Sequence, residues 1–316
     1  MPGMDSNPAR GAGPTGRRAR NVSIALLATA ALAGTVFAPA ADSQDAGADE
    51  ESDTRVVLVT GSTGGLGREV ALRLAASGTH VIIHGRDTIR GREVVEEVER
   101  AGGSARFYAA DFASLDEVRR LASEVRRDHQ HLDALVNNAG IWLTRGDRRL
   151  SEDGHELHFQ VNYLAGYLLT RELLPLLERG APSRIVNVAS AAQTPIDFDD
   201  PMMDEGYSGG RAYGQSKLAQ ILYTIDLAER LAGSGITVAA LHPATLMETD
   251  MVREAGIPPR ATVAEGAEAV IALLDGDAVE SGAYFDGMRR ATPNDQALRP
   301  EARERLRTLS EELVGR

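Results

Sequence analysis

Residues 55–74 read RVVLVTGSTGGLGREVALRL, and this stretch decides the fold. The unbroken apolar run VVLV, rich in β-branched residues, is typical of a strand that is buried on both faces. The segment REVALRL has apolar residues at helical spacing. Four glycines lie between these two segments. The stretch therefore predicts a buried strand, a tight glycine-rich turn and a helix.

The glycine-rich turn predicts a dinucleotide-binding site. Backbone N–H groups in such a turn can approach a pyrophosphate closely, and the N-terminus of the following helix attracts anions. Glycines also serve ordinary turns, but a position between a buried strand and a helix favours the phosphate-binding interpretation. Gly61, Gly65 and Gly67 stand at offsets 0, 4 and 6, which fits the pattern TGxxxGxG and differs from GxGxxG.

Strands and helices alternate along the rest of the chain, which indicates right-handed crossovers and a parallel sheet covered on both faces. We therefore predict one doubly wound α/β domain over residues 55–316. Further strands are predicted at THVIIHG (79–85), ARFYAAD (105–111), LDALVNN (132–138), SRIVNVAS (183–190), ITVAALHP (236–243) and GAYFD (282–286). Helices are predicted at 68–78, 88–102, 114–128, 155–180, 211–233 and 295–314.

Charge and composition argue against nucleic acid and metal chemistry. The net charge is −12, and residues 1–41 carry four arginines and one aspartate, which leaves 30 basic and 45 acidic residues in 42–316. Such an acidic domain is a poor partner for a phosphate backbone. The chain has no cysteine, and its seven histidines show no H-E-x-x-H spacing, so we expect neither disulfides nor a catalytic metal.

The first 54 residues are excluded from the predicted fold. A basic segment (17–20) precedes the apolar run VSIALLATAALAGTVFA (22–38), and small residues and then an acidic stretch follow. This order is typical of a secretory signal. A membrane anchor through residues 22–41 is the alternative, because about 17 apolar residues is the lower limit for crossing a bilayer. We expect export or membrane association; a cytoplasmic enzyme with a downstream start is the other interpretation.

The segment RAYGQSKLAQ (211–220) contains Lys217, the only lysine beside 33 arginines, four residues after Tyr213. With seven tyrosines among 316 residues, a single lysine placed at random would fall four residues after a tyrosine about 2% of the time. Four residues are about one helical turn, so both side chains share a face. A neighbouring ammonium lowers the pKa of a tyrosine from about 10, which suits a general acid or base. An exposed pair without chemistry is the alternative.

Together with Asn137-Asn138-Ala139-Gly140 after the fourth strand, these motifs resemble the short-chain dehydrogenase/reductase family, of the single-domain type. The resemblance runs from about residue 55 to the C-terminus, where SEELVG (310–315) is similar to the tail of retinol-dehydrogenase-like members. It implies a Rossmann fold, a dinucleotide cofactor, a small-molecule carbonyl or alcohol substrate, and a homo-oligomer.

The resemblance also implies the site residues. Taken alone, Ser190 would be a strand-end serine, but the matching serine of the family orients the substrate carbonyl. Asn162 would be a core amide, but the matching asparagine holds a water that links the lysine to solvent. Tyr213 would protonate the developing alkoxide, and Lys217 would hold the nicotinamide ribose. The implied cofactor-binding residues are Thr60, Gly61, Ser62, Gly65, Leu66, Gly67, Arg86, Asp111, Phe112, Asn138, Ala139, Gly140, Tyr213, Lys217, Pro243, Thr245 and Thr249.

Two stretches depart from the family pattern or add to it. In HPATLMET (242–249), Ala244 replaces the usual glycine and Thr249 lies one residue later than in PGxVxT, which puts the role of this threonine in doubt. The segment between Ser190 and Tyr213 is rich in Asp and Glu. A solvated loop is the simple interpretation; if the segment borders the substrate mouth, it favours a neutral, lipophilic aldehyde or ketone over an anion.

The second strand ends in His84-Gly85-Arg86-Asp87, which predicts a preference for NADP(H) over NAD. Arg86 is placed to pair with a 2′-phosphate, whereas an acid at this point usually accepts bonds from the 2′-hydroxyl of NAD. Asp87 supports the opposite interpretation.

The leading hypothesis is thus an NADP-dependent carbonyl reductase or alcohol dehydrogenase. An extended-type epimerase or dehydratase also uses a Tyr/Lys pair, but the glycine spacing and the lack of a long C-terminal substrate domain argue against it. A non-catalytic dinucleotide sensor would be expected to lose the Tyr/Lys pair.

Overall fold

The computed structural model describes residues 54–315. The segment predicted as a secretory signal or membrane anchor lies outside the described residues. Within 54–315, no helix is both long enough and apolar enough to cross a membrane. In the same range, no group of three or more His, Asp and Glu side chains is arranged to hold a metal ion.

A single sheet lies at the centre of the described domain. Its eight strands are β1 (Val56–Val59), β2 (His80–Gly85), β3 (Ser104–Ala109), β4 (Ala134–Asn137), β5 (Ser183–Val188), β6 (Ile236–His242), β7 (Tyr284–Asp286) and β8 (Arg289–Ala291). They are arranged in the order β3-β2-β1-β4-β5-β6-β7-β8. All neighbouring pairs are parallel except the last, in which β8 runs antiparallel to β7. This order defines a doubly wound Rossmann fold.

Helices cover both faces of the sheet. They are α1 (Gly65–Ala76), α2 (Thr88–Arg100), α3 (Leu115–Asp128), α4 (Ala165–Arg179), α5 (Gly209–Arg230), α6 (Asp250–Glu254), α7 (Val263–Asp275) and α8 (Pro300–Val314). Buried residues of α1, α2 and α7 form one core with Val57 and Val59, while those of α3, α4, α5 and α8 form a second core with Leu58. The alternation along β1 follows from side chains that point to opposite faces at each step.

The fold class predicted from the sequence is confirmed, and so are the seven parallel strands. Three elements were not predicted: β8, the short α6, and α7. The sequence signal for α7 was available, because Thr262 and Glu265 form a capping box at its N-terminus. Its small residue Gly266 brings it against Leu66 of α1.

The helix predicted over 155–180 is divided in the structure. A π-helical segment, Phe159–Leu164, precedes α4 and is buried throughout. Such local widening of a helix is common at functional sites. It carries Asn162, one of the predicted site residues. The helix predicted over 295–314 is likewise divided, into a 3₁₀ turn, Asp295–Leu298, and α8.

Candidate active site

A cavity of ≈ 470 Å³ lies where the carboxyl ends of β1, β4, β5 and β6 meet. Successive strands are added on opposite sides of the β1–β4 pair. Ligands of doubly wound proteins bind at this point because the loops on the two sides separate there and leave a crevice. The predicted site residues can therefore be located relative to this cavity.

The glycine-rich loop forms one wall and fits the phosphates of a dinucleotide. Gly61 and Gly65 have φ of +64° and +52°, a left-handed conformation that favours glycine. Gly67 is needed for close packing, since a Cβ there would lie 2.4 Å from the carbonyl oxygen of Gly61. No side chain caps the N-terminus of α1, so its first N–H groups remain available to an anion.

Thr60 and Asn138 join this loop to the segment after β4. The backbone N–H groups of Asn138 and Ala139 donate to the Thr60 hydroxyl at 2.9 and 3.0 Å. The Asn138 amide in turn donates to the carbonyl oxygen of Thr60 at 2.8 Å. Thr60 is fully buried, so it fixes the relative position of two cavity walls and does not itself face the cavity.

Arg86, Asp111 and Phe112 line the end of the cavity beside β2 and β3. The guanidinium of Arg86 lies 3.7 Å from the Asp111 carboxylate and is largely exposed. Asp87 is engaged elsewhere, because its Oδ1 accepts from the backbone N–H groups of Ile89 and Arg90 as the N-cap of α2.

Tyr213 and Lys217 lie one turn apart on α5 and both face the cavity. The ammonium nitrogen of Lys217 is 5.7 Å from the centre of the Tyr213 ring. It donates to the carbonyl oxygen of Val188 at 2.8 Å and to Oε1 of Gln220 at 3.0 Å. The lysine is only 4% exposed, so its position is fixed by these two acceptors.

Burial dominates the protonation of this pair. Burial lowers the pKa of Lys217 to about 7. The Val188 and Gln220 oxygens accept from the ammonium and so favour its charged form. Burial also raises the pKa of Tyr213 above its ordinary value, and only a hydrogen bond from Ser190 opposes this shift. Burial thus shifts the pKa of Tyr213 in the direction opposite to the ammonium effect predicted from the sequence. Desolvation of the phenolate outweighs an ammonium at this distance.

Ser190 lies at the cavity after β5, as predicted. Its Oγ accepts from the backbone N–H of Ala192 at 3.1 Å. The hydroxyl proton remains free to be donated, and donation toward Tyr213 is what would lower the pKa of that tyrosine. A carbonyl oxygen between these two hydroxyls could accept from both.

Asn162 lies behind the cavity wall. Its Oδ1 accepts from the backbone N–H of Ile141 at 2.7 Å, and its Nδ2 donates to the Ile141 carbonyl at 3.1 Å and to the Ser216 hydroxyl at 2.9 Å. A Cβ at Gly140 would lie 3.2 Å from the Asn162 oxygen and 3.6 Å from the Lys217 nitrogen. Asn162 therefore holds the segment after β4 next to the lysine.

In the loop after β6, where Thr249 lies one residue later than in the family pattern, one residue has an unusual backbone conformation. Leu246 has a φ of +52°, a strained conformation for a leucine. Beyond it, Thr249 caps the N-terminus of α6. A Cβ added at Gly65 would lie 3.2 Å from the methyl group of Thr249. Despite its displaced position in the sequence, Thr249 thus reaches the glycine-rich loop.

Most of the predicted site residues line the cavity, but Thr60, Ser62, Gly67 and Asn162 are buried behind its walls. Several residues that line the cavity were not predicted, among them Trp142 and His84. Trp142 lies with its ring centre 5.5 Å from that of Tyr213, and its position next to the NNAG motif was a usable signal. His84 bonds to the glycine-rich loop 23 residues away, a contact that no local pattern indicates.

Comparison with known proteins agrees with this geometry. A family model described as short chain dehydrogenase matches residues 55–258. Retinol dehydrogenase 13 of Mus musculus is 36% identical over 283 residues, which cover 83% of this chain and 84% of that protein. Retinol dehydrogenase 14 of Homo sapiens is 35% identical over 293 residues, which cover 83% and 86%.

Solved structures give the same assignment. The RhlG/NADP active-site complex of Pseudomonas aeruginosa has a TM-score of 0.62 and 28% identity, and the match covers 73% of this chain and 94% of that chain. A short chain dehydrogenase from Escherichia coli CFT073 complexed with NADPH has a TM-score of 0.62 and 26% identity, with 74% and 96% covered. The chain therefore belongs to the short-chain dehydrogenase/reductase family. It is similar to the retinol dehydrogenases within that family and is an NAD(P)-dependent oxidoreductase.

Proposed function

We propose that the protein interconverts a neutral, lipophilic carbonyl compound and its alcohol, with Tyr213 as the general acid and base. The observation that carries this proposal is that Tyr213 and Ser190 line the same cavity and that the serine hydroxyl opposes the rise in the pKa of Tyr213. Such a pair would offer a single substrate oxygen one proton donor and one polarising hydroxyl.

Each side chain then has a defined task. A bound nicotinamide supplies or accepts the hydride. Ser190, oriented by Ala192, donates its hydrogen bond to the substrate oxygen and polarises the carbonyl. Tyr213 transfers its phenolic proton to the same oxygen as charge develops there. Lys217, held by Val188 and Gln220, stabilises the resulting phenolate and reaches the ribose hydroxyls.

The lining of the cavity supports an apolar substrate. Trp142, Ile141, Leu246 and Met251 line the cavity, and the Trp142 ring lies beside that of Tyr213. The acidic residues of the segment after Ser190 do not line the cavity, and part of them is paired with arginines, as in the contact between Asp204 and Arg148. An anionic substrate would face an apolar wall with little compensation.

A substrate panel tests this proposal. Neutral aldehydes and ketones should be reduced, as followed by NADPH absorbance. Analogues that carry a carboxylate should react at least about tenfold more slowly. Equal rates with anionic analogues would contradict the proposed substrate class. Binding of NADPH without turnover of any compound would instead support a non-catalytic sensor.

We further propose a preference for NADP(H) over NAD. Of the neighbours Arg86 and Asp87, the aspartate already caps the N-terminus of α2. Arg86 is exposed, and to bind a 2′-phosphate it would give up only a 3.7 Å contact with Asp111. Arg86→Ala should raise the KM for NADPH about tenfold and leave that for NADH within about twofold. The exposed Arg92 on α2 provides the control Arg92→Ala. Equal use of NADH by the wild type would refute the proposal.

Export or membrane association remains a proposal that rests on the basic, apolar and acidic order of residues 1–54. Fractionation of the native host with N-terminal sequencing tests it. A soluble cytoplasmic protein that retains residue 1, or that begins near residue 50, would contradict it.

A further inference from the structure

His84 is a buried imidazole to which the reaction assigns no task. It is the last residue but one of β2, is 2% exposed, and borders the cavity between the glycine-rich loop and Phe112. A buried titratable side chain needs partners for its polar atoms, and each partner of His84 belongs to a different wall of the cleft.

Both ring nitrogens are bonded to the backbone. Nδ1 accepts from the N–H of Gly61 at 3.1 Å, and Nε2 lies 3.2 Å from the carbonyl oxygen of Ala110. Only the neutral tautomer with its proton on Nε2 satisfies both contacts, since Gly61 offers a donor and Ala110 offers an acceptor.

Further contacts tie the same residue to the two walls. The imidazole stacks on the Phe112 ring, with the centres 4.4 Å apart and the planes at 23°. Its backbone exchanges hydrogen bonds with Ser62: the N–H of His84 donates to the Ser62 hydroxyl at 3.0 Å, and the N–H of Ser62 donates to the His84 carbonyl at 2.8 Å.

We propose that His84 is a positioning residue for cofactor binding: its neutral imidazole fixes the Gly61 peptide and the Phe112 ring relative to each other. Because Gly61 is in a left-handed conformation, the direction of its N–H decides where the following N–H groups of the loop point. The proposal rests on the cofactor site proposed above, and it adds a residue that reaches the cofactor only through others.

The surroundings of His84 keep it neutral. Burial lowers its pKa to about 4, against the Ala110 hydrogen bond and the charge of Asp111, which both raise it. The charged groups at this corner are Asp111, after β3, and Arg86, which pairs with it; Gly61 and Ser62 add no charge. Since the ordinary value is 6.5, the unfolded chain binds the proton first. His84 therefore stabilises the fold fully above pH 6.5, and this contribution is lost as the pH falls to about 4.

Two amide variants separate the two nitrogens. In His84→Asn, the side-chain oxygen can take the place of Nδ1 and still accept from Gly61. In His84→Gln, the amide takes the place of Nε2, so it can still donate to Ala110 but leaves Gly61 without its acceptor. We expect His84→Gln to raise the Kd for NADPH about tenfold, measured by titration calorimetry at neutral pH, and His84→Asn to stay within about threefold of wild type.

His158 provides a matched control. It is fully buried and accepts from the backbone N–H of Leu143 through Nε2 at 2.9 Å, but it does not line the cavity. His158→Asn should lower the urea midpoint and leave the Kd for NADPH within about twofold. A second readout is the fall in urea midpoint between pH 6.5 and 4, which should be smaller in both His84 variants than in wild type.

The outcomes are distinct. NADPH binding by His84→Gln with the affinity of the wild type, or equal weakening in both His84 variants, would overturn the positioning role. An equal change of the NADPH affinity in His158→Asn would also overturn it, because loss of any buried imidazole would then explain the effect. Failure of the wild type to bind NADPH would instead refute the proposed cofactor site.

Discussion

Lys217 shows why an arginine could not serve at its position. Its nitrogen is buried and contacts two acceptors from one compact group. A guanidinium is longer and planar and carries five N–H donors, more than these two acceptors can satisfy. The single lysine among 33 arginines is therefore explained by space and hydrogen bonding.

Lys217→Arg should lower kcat at saturating NADPH by at least about 100-fold, although it keeps the charge. Tyr213→Phe should lower it by about 10²–10⁴, because the transferable proton is lost. Initial rates with the best substrate of the panel measure both effects, and circular dichroism checks that each variant is folded. A folded Lys217→Arg enzyme with a nearly normal rate would contradict the role of the lysine.

Site residues could be predicted from the sequence where they stand in short motifs, but not where they depend on contacts between distant parts of the chain. Tyr213, Lys217, Ser190 and the glycines stand in short motifs, so their spacing revealed them. His84 depends on a contact to Gly61 across two strands. Because such a contact exists only once the sheet has formed, one sequence could not indicate it.

Among the elements, the junction between β1 and α1 is tightly packed beside the cleft. A Cβ at Gly67 would lie 2.4 Å from the Gly61 carbonyl oxygen and 2.5 Å from the Asn138 amide nitrogen. Neither group can move without disturbing the link between the walls after β1 and β4. By contrast, nothing lies within 4 Å of a Cβ at Gly64, where the backbone is extended with a φ of −169°.

Gly67→Ala should therefore destabilise the cofactor-free protein by roughly 1–3 kcal/mol, and Gly64→Ala should change its stability by less than about 0.5 kcal/mol. Urea unfolding of the two variants measures the difference. Equal stabilities would show that the loop adapts to a side chain at Gly67 and that close packing is not the reason for this glycine.

The elements themselves were predictable where burial leaves a pattern. Strands β1, β2, β4 and β6 contain buried apolar runs, because helices cover both of their faces. The sequence of β8, Arg289–Ala291, has no such pattern, since this antiparallel edge strand is mostly exposed. The π-helical segment Phe159–Leu164 reads as an ordinary amphipathic helix, and its widening reflects contacts of Asn162 with other segments.

For the domain as a whole, the C-terminal helix α8 completes the second core. It packs on α5, and its residues Leu306 and Val314 belong to that core. The Tyr163 hydroxyl donates to the Ser310 hydroxyl at 2.6 Å, because Ser310 itself donates to the Leu306 carbonyl. A homo-oligomer, which remains our prediction, must use a surface other than the part of α5 that α8 covers.

Ser310→Ala should lower the free energy of unfolding by about 1–3 kcal/mol, because it leaves the buried Tyr163 hydroxyl without an acceptor. Adding Tyr163→Phe should recover part of this loss, so the double-mutant cycle should show coupling above about 0.5 kcal/mol. Ser234→Ala, which removes a similar hydroxyl at an exposed turn, should change stability by less than about 0.5 kcal/mol. Additive effects of the two core variants would contradict the contact.

The position of Trp142 beside Tyr213 has an optical consequence. The chain contains no other tryptophan, so its indole emission comes from the cleft alone. Reduced nicotinamides absorb light in the wavelength range where indole emits, whereas oxidised ones do not. Excitation energy should therefore pass from Trp142 to a reduced ring bound near Tyr213. The unlabelled protein should dim as NADPH binds and brighten again as that NADPH is oxidised.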